Sequence, residues 1–177
     1  FGKNKPDSWN TAAITPGTVF MHELNTMIKS HFNESTCKKY NNIKNIMVSS
    51  SDDPGEGEHK IYQYIRDNKT EHESAVTVIY GLDADLIMLS INHLPVCPNI
   101  YLFRETPEFI KSIDSSLEPN ETYFMDIPIL TKTIIDDMNN GKDTTGEAHY
   151  NRAYDYIFIC FFLGNDFMPH FPAVNIR

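Results

Sequence analysis

Apolar residues recur at helical spacing in four stretches of the chain and gather into short β-branched or aromatic runs between them. From Val19 to Phe32, the residues Phe20, Leu24, Met27, Ile28 and Phe32 share one face of a 3.6-residue period and predict an amphipathic helix. Pro16-Gly17 ahead of it is a turn signal, and Thr18 supplies an N-cap. Ile43 to Ser50 reads as a strand and Ser51-Asp52-Asp53-Pro54-Gly55 as a turn. A helix follows from about Glu58 to Arg66, with Ile61, Tyr64 and Ile65 turned inward. Ala75 to Tyr80 predicts a buried strand ended by Gly81, Asp85 to Ile91 a short helix, and Asn99 to Phe103 the next strand. Thr122 to Ile127 predicts a further strand. Pro128, suited to a first turn, opens a helix to about Met138 that aligns Leu130, Ile134 and Met138. Ala148 to Leu163 predicts a long helix, apolar nearly all round in its second half and therefore central. Residues 1–15 read as an extended lead-in, and 33–42, 104–121 and 139–146 as polar connections. Strands alternating with helices predict an α/β sheet with helices on both faces.

Composition changes this picture little. At 177 residues the chain suffices for one domain with a sizeable core. The best apolar run, Tyr156 to Leu163, is about half the length a bilayer span needs. Cys37, Cys97 and Cys160 are scattered and form no C-x-x-C pair. That argues for a reduced, intracellular protein and against a zinc site. The formal net charge of −9 by itself argues against nucleic acid, since phosphate binding calls for a basic face. Metal ions on the acids would soften that objection.

Those acids are the chemically telling residues. Five of them stand in three glycine-punctuated strings where an element meets a turn: Glu56 and Glu58 in PGEGEHK, Asp83 and Asp85 in YGLDADL, and Asp166 in LGNDF. Carboxylates gathered at element ends are what hard divalent cations need to drive a phosphoryl displacement. Residues two apart at a strand's end point to one side, so Asp83 and Asp85 can face one spot beyond the sheet edge where α/β proteins bind ligands. Each string also has a structural explanation. Asp85 can cap the helix that follows it. Glu56 and Glu58 suit a helix N-terminus through its dipole. Gly164 can end a helix in the left-handed conformation, with Asp166 capping what comes next. A D-x-D pair also occurs in HAD-type phosphatases and nucleotide-sugar transferases. His59 and Lys60 read chiefly as a solvated helix face, and Arg104-Glu105 as a surface ion pair. No P-loop, G-x-G-x-x-G or G-x-S-x-G string occurs.

Taken together, ITPGTVFM (Ile14 to Met21), PGEGEHKI, YGLDADLIML and CFFLGNDFMPHFP resemble, in order and rough spacing, the nuclease domain of the 5′→3′ exoribonuclease (XRN) family. The acid pattern is similar, more distantly, to flap endonucleases. The resemblance implies a PIN-like, flap-endonuclease-like α/β nuclease domain with a mainly parallel sheet flanked by helices, incomplete in this chain. It implies Glu56, Glu58, Asp83, Asp85 and Asp166 as catalytic metal ligands for two Mg²⁺ or Mn²⁺ ions. Magnesium keeps several waters, so not all five need touch a metal. The implied substrate is single-stranded RNA with a 5′-monophosphate, degraded to mononucleotides in the cytoplasm or nucleus. The family's domain begins upstream of its ITPGT segment, with two further metal-binding aspartates and a basic 5′-phosphate pocket. The resemblance therefore implies that residues 1–177 are the central and C-terminal part of one such domain, inactive alone. A flap endonuclease acting on DNA and a metal-free nuclease-fold scaffold are the competing readings.

Overall fold

The computed structural model describes residues 10–39, 42–106, 111–112, 114–142, 145–165 and 168–173. The chain divides into two compact units, Phe1–Ile61 and Tyr62–Arg177.

In the first unit a 3₁₀ turn, Thr11–Ala13, precedes helix α1, Val19–His31. Thr18 caps α1 as expected. Its Oγ1 accepts from the Met21 amide at 3.3 Å and donates to the Ala13 carbonyl at 2.6 Å. A four-residue helix α2, Glu34–Cys37, follows. The strand expected over Ile43 to Ser50 does not form. The segment is irregular and leaves Ile43 and Met47 exposed. Strand propensity is realised only where a neighbouring ladder accepts the backbone bonds, and none of the described residues supplies one. Residues 51–55 form the expected turn, and helix α3, Gly57–Asp67, starts directly after it.

Among the described residues the second unit is built on a three-stranded sheet in the order β1 (Thr77–Tyr80), β2 (Ile100–Glu105), β3 (Thr122–Asp126). Helix α4, Lys69–His72, lies between α3 and β1, and helix α5, Asp85–His93, connects β1 to β2. β1 and β2 pair in parallel, with Ile79 beside Leu102, the crossover helix being what a parallel pair requires. β3 pairs antiparallel to β2, with Met125 beside Leu102. The sheet is thus mixed rather than mainly parallel. The Thr106 amide donates to the Glu121 carbonyl and the Asn120 amide to the Thr106 carbonyl, so the chain ends are joined beside the sheet, and an antiparallel return needs no crossover helix. Helices α6, Ile127–Met138, and α7, Glu147–Phe161, complete the unit. Asp126 caps α6, accepting from the Ile129 amide at 2.9 Å, and Pro128 sits in its first turn as expected.

Among the described residues the core of this unit is one cluster. Ile79, Ile100 and Leu102 from the sheet meet Tyr62 and Ile65 of α3, Leu86 and Ile91 of α5, Ile127 and Ile135 of α6, and Ala153 of α7. Three expectations about burial are corrected here. On α3 the buried pair is Tyr62 and Ile65, while Ile61 and Tyr64 stay 41% and 39% exposed. β1 is buried on one face only. Ile79 is covered, whereas Val78 and Tyr80, with Phe124 of β3, look out from the opposite face, which no described helix of this unit covers. α7 is not central among the described residues. It packs on α5 and α6 through Ala153, Tyr150, Tyr156 and Ile157, and leaves Phe158, Ile159 and Phe161 exposed. An all-round apolar pattern marks what a helix can bury, and only neighbours decide which side is used.

Candidate metal centre

The Glu56-Gly57-Glu58 string lies at the start of α3. Glu56 immediately precedes the helix and its carbonyl accepts from the Lys60 amide at 3.1 Å, while Glu58 stands in the first turn. Helix geometry brings residues three apart onto one side, and His59 Nε2 lies 3.7 Å from Glu56 Oε2. One ligand atom from each of Glu56, Glu58 and His59 falls within 4.8 Å of the others. The set fits a hard divalent cation. Metal–oxygen bonds of about 2.1 Å reach across about 4.2 Å, so the ligand atoms need close by only a fraction of an ångström. Carboxylate oxygens suit hard cations such as Mg²⁺, Ca²⁺ and Mn²⁺, while an imidazole suits softer transition metals.

The loop that carries this pair is tied down at its base. Gly55 holds φ +95°, a left-handed conformation natural to glycine. The Lys60 stem runs alongside Gly55, and its Nζ donates to the Ser50 carbonyl at 2.7 Å. Lys60 is therefore a structural strap, not the solvated side chain expected of it. The Ser50 amide donates to Asp53 Oδ2 at 2.7 Å, and this bond, assisted by Lys29 and Lys60, holds the Asp53 carboxyl below its usual range. From α1, buried Asn25 donates to Ser51 Oγ at 2.8 Å, and Lys29 Nζ lies 3.7 Å from Asp53. The i, i+4 spacing of Asn25 and Lys29 is visible in the sequence, but nothing there identifies Ser51 and Asp53 as their partners.

In the second unit Asp83 and Asp85 follow the end of β1, as expected. Both are exposed. Asp85 is the first residue of α5, and the preceding Ala84 makes no side-chain cap. Asp83 acts as the local acceptor, taking the Asp85 amide at 3.3 Å on Oδ1. Asp85 therefore does not act as the cap expected of it. Arg104 does not simply pair with its neighbour Glu105. From β2 its Nη2 donates to the Leu82 carbonyl at 2.8 Å, across the base of the Asp83–Asp85 loop. Successive strand residues face opposite sides, which keeps Arg104 and Glu105 apart and frees the guanidinium for this bond.

Asp166 lies outside the described residues. Gly164 has φ +87° just past α7, the left-handed terminator expected there, and the chain folds back so that the Phe171 amide donates to the Phe162 carbonyl at 2.8 Å.

Comparison with known proteins adds to this geometry. Residues 2–106 match the family described as XRN 5′-3′ exonuclease N-terminus, and residues 149–177 match the Xrn1 helical domain. The chain is 35% identical to 5′-3′ exoribonuclease 2 of Yarrowia lipolytica, over 98% of this chain and 18% of that protein. It is 32% identical to 5′-3′ exoribonuclease 2 of Arabidopsis thaliana, over 96% of this chain and 20% of that protein. Against 5′-3′ exoribonuclease 1 of Schizosaccharomyces pombe the identity is 32%, over 99% of this chain and 14% of that protein. The chain spans a fifth or less of the length of these curated relatives.

Proposed function

Because this chain belongs to the XRN 5′-3′ exonuclease family, we propose that it carries metal-binding acids of a 5′→3′ exoribonuclease that degrades 5′-monophosphorylated single-stranded RNA to mononucleotides. The observation that carries the reading is the approach of Glu56 and Glu58 at the head of α3, in the string that the family resemblance marks out. Glu56, Glu58, Asp83, Asp85 and Asp166 hold two Mg²⁺ or Mn²⁺ ions in this reading, and residues 1–177 are part of one PIN-like nuclease domain. The protein's place of work is the cytoplasm or the nucleus.

When bound, such cations supply Lewis-acid activation and neutralise charge at the scissile phosphate. The chain's own part is to present carboxylate oxygen donors from stiff supports. Glu58 stands in a helix first turn, Asp83 and Asp85 follow a strand anchored in the core, and the loops before them are tied through backbone carbonyls. Neutralising these acids also answers the objection raised by the net charge of −9.

The test is calorimetric titration of Mn²⁺ into the full-length protein, beside Glu56→Gln/Glu58→Gln, Asp83→Asn/Asp85→Asn and Asp166→Asn, with circular dichroism confirming folding. Each variant is expected to lose or weaken Mn²⁺ binding and to abolish release of mononucleotides from 5′-phosphorylated RNA. Unchanged Mn²⁺ binding in all three, or equal cleavage of 5′-hydroxyl and 5′-phosphate RNA by the parent, would refute the proposal.

A further inference from the structure

Two of the acidic strings share a feature that their carboxylates do not explain. At the base of each, a cation standing on a regular element donates to a backbone carbonyl that precedes the acids in the chain. Lys60, in α3, donates to Ser50 at 2.7 Å, closing a loop of chain from Ser50 to Lys60 that contains Glu56 and Glu58. Arg104, in β2, donates to Leu82, the residue before Asp83, at 2.8 Å. Arg104 stands in none of the described ion pairs, and Lys60 meets an acid only through the charge of Asp53 at a distance.

We propose that Lys60 and Arg104 are positioning residues, each holding the loop that presents a carboxylate pair at the height where it binds metal. The inference rests on the metal-binding reading of the acids. The physical argument is one of preorganisation. An exposed loop samples many conformations, and a cation whose ligands come from such a loop bears the ordering cost on binding. A charged donor on a backbone carbonyl makes a stronger bond than a neutral one, and each donor here stands on an element fixed by the fold. For Lys60 the anchoring is doubled. The Ser50 residue it grips also donates to Asp53, which Lys29 of α1 approaches, and neighbouring Ser51 is held by buried Asn25. For Arg104 the β1–β2 register sets the reach, since the Gly81 amide donates to the Phe103 carbonyl at 3.3 Å and so places Leu82 beside the guanidinium.

The alternative is that both cations serve RNA phosphates, and the two roles separate experimentally. In the full-length protein, Lys60→Met and Arg104→Met keep the alkyl stem and remove the donor. Positioning predicts that each weakens Mn²⁺ binding by about tenfold or more, the range typical of outer-shell partners of metal ligands. It also predicts that the salt dependence of RNA binding stays unchanged. Lys60→Arg and Arg104→Lys, which retain a donor, are expected to recover most of the affinity, and thermal melts establish that each variant is folded. Unchanged Mn²⁺ affinity with weaker RNA binding and a shallower salt slope, the mark of a lost phosphate contact, would overturn the inference. So would a loss of Mn²⁺ affinity that neither conservative variant recovers. If Glu56→Gln/Glu58→Gln and Asp83→Asn/Asp85→Asn abolish Mn²⁺ binding while the two methionine variants do not, this inference alone fails. If those acid variants leave binding intact, the metal reading itself fails.

Discussion

Removing a single oxygen from the core tests how the second unit is held together. Tyr62 is fully buried, and its hydroxyl lies 3.0 Å from the Leu86 carbonyl oxygen and 2.7 Å from Ser90 Oγ, which is itself fully buried. Tyr62→Phe leaves the ring and its packing in place, including the tilted contact with His93 at 4.6 Å. Apolar burial therefore nearly cancels between the two proteins. What remains is a lost hydrogen bond and a buried serine hydroxyl with one partner fewer, together about 1–3 kcal/mol. Ser90→Ala removes the other end and costs about 1 kcal/mol by the same reasoning. Once either partner is gone the second substitution has less to remove, so the double variant should cost about 1 kcal/mol less than the sum of the singles. Urea unfolding followed by circular dichroism measures all four proteins. The midpoints should shift at constant slope, since the surface exposed on unfolding hardly changes. Additivity within about 0.3 kcal/mol, or a Tyr62→Phe protein as stable as the parent, would show that this bond does not join α3 to α5 energetically.

His93 gives a pH dependence. Burial is the main influence holding its imidazole below the usual 6.5; Arg66 beside it adds to the lowering, and the bond to the Leu89 carbonyl opposes it. Nδ1 donates to Leu89, so Nε2 accepts from Arg66 and the neutral ring is favoured. The unfolded chain takes up this proton at a higher pH than the folded one, so stability falls as pH drops from 6.5 towards the folded value. His93→Gln should remove that part of the slope in denaturation measured at several pH values, and an unchanged slope would refute the assignment. Gly164→Ala should cost more than about 1 kcal/mol, because φ is +87° and a Cβ would lie 2.7 Å from the His170 backbone nitrogen; a neutral effect on urea unfolding would contradict this packing. Thr18→Ala should cost about 1 kcal/mol through the lost N-cap of α1 and Thr18→Ser far less; equal losses would mean that the cap bond contributes nothing.

The sequence alone determined the features that depend on near neighbours along the chain. The Thr18 cap, the first-turn Pro128, the left-handed Gly164 and the helical periods all follow from interactions spanning a few residues, and each stands close to where the pattern predicts it. The acidic strings were legible for the same reason, since their spacing relative to element ends is a local property. Tertiary structure decided whatever needs a partner distant in sequence. Ile43 to Ser50 has strand-like composition but no ladder to join among the described residues. The inward side of α3 passed to Tyr62 because Leu86 and Ser90, more than twenty residues on, offer its hydroxyl partners. β3 turned antiparallel to β2, with Thr106 bonded to Glu121 and Asn120 where the two strands meet. Lys60 and Arg104 read as ordinary surface charges until the fold places a carbonyl within reach of each. A backbone carbonyl leaves no mark in the sequence, since every residue has one, so a bond to it can be found only in three dimensions.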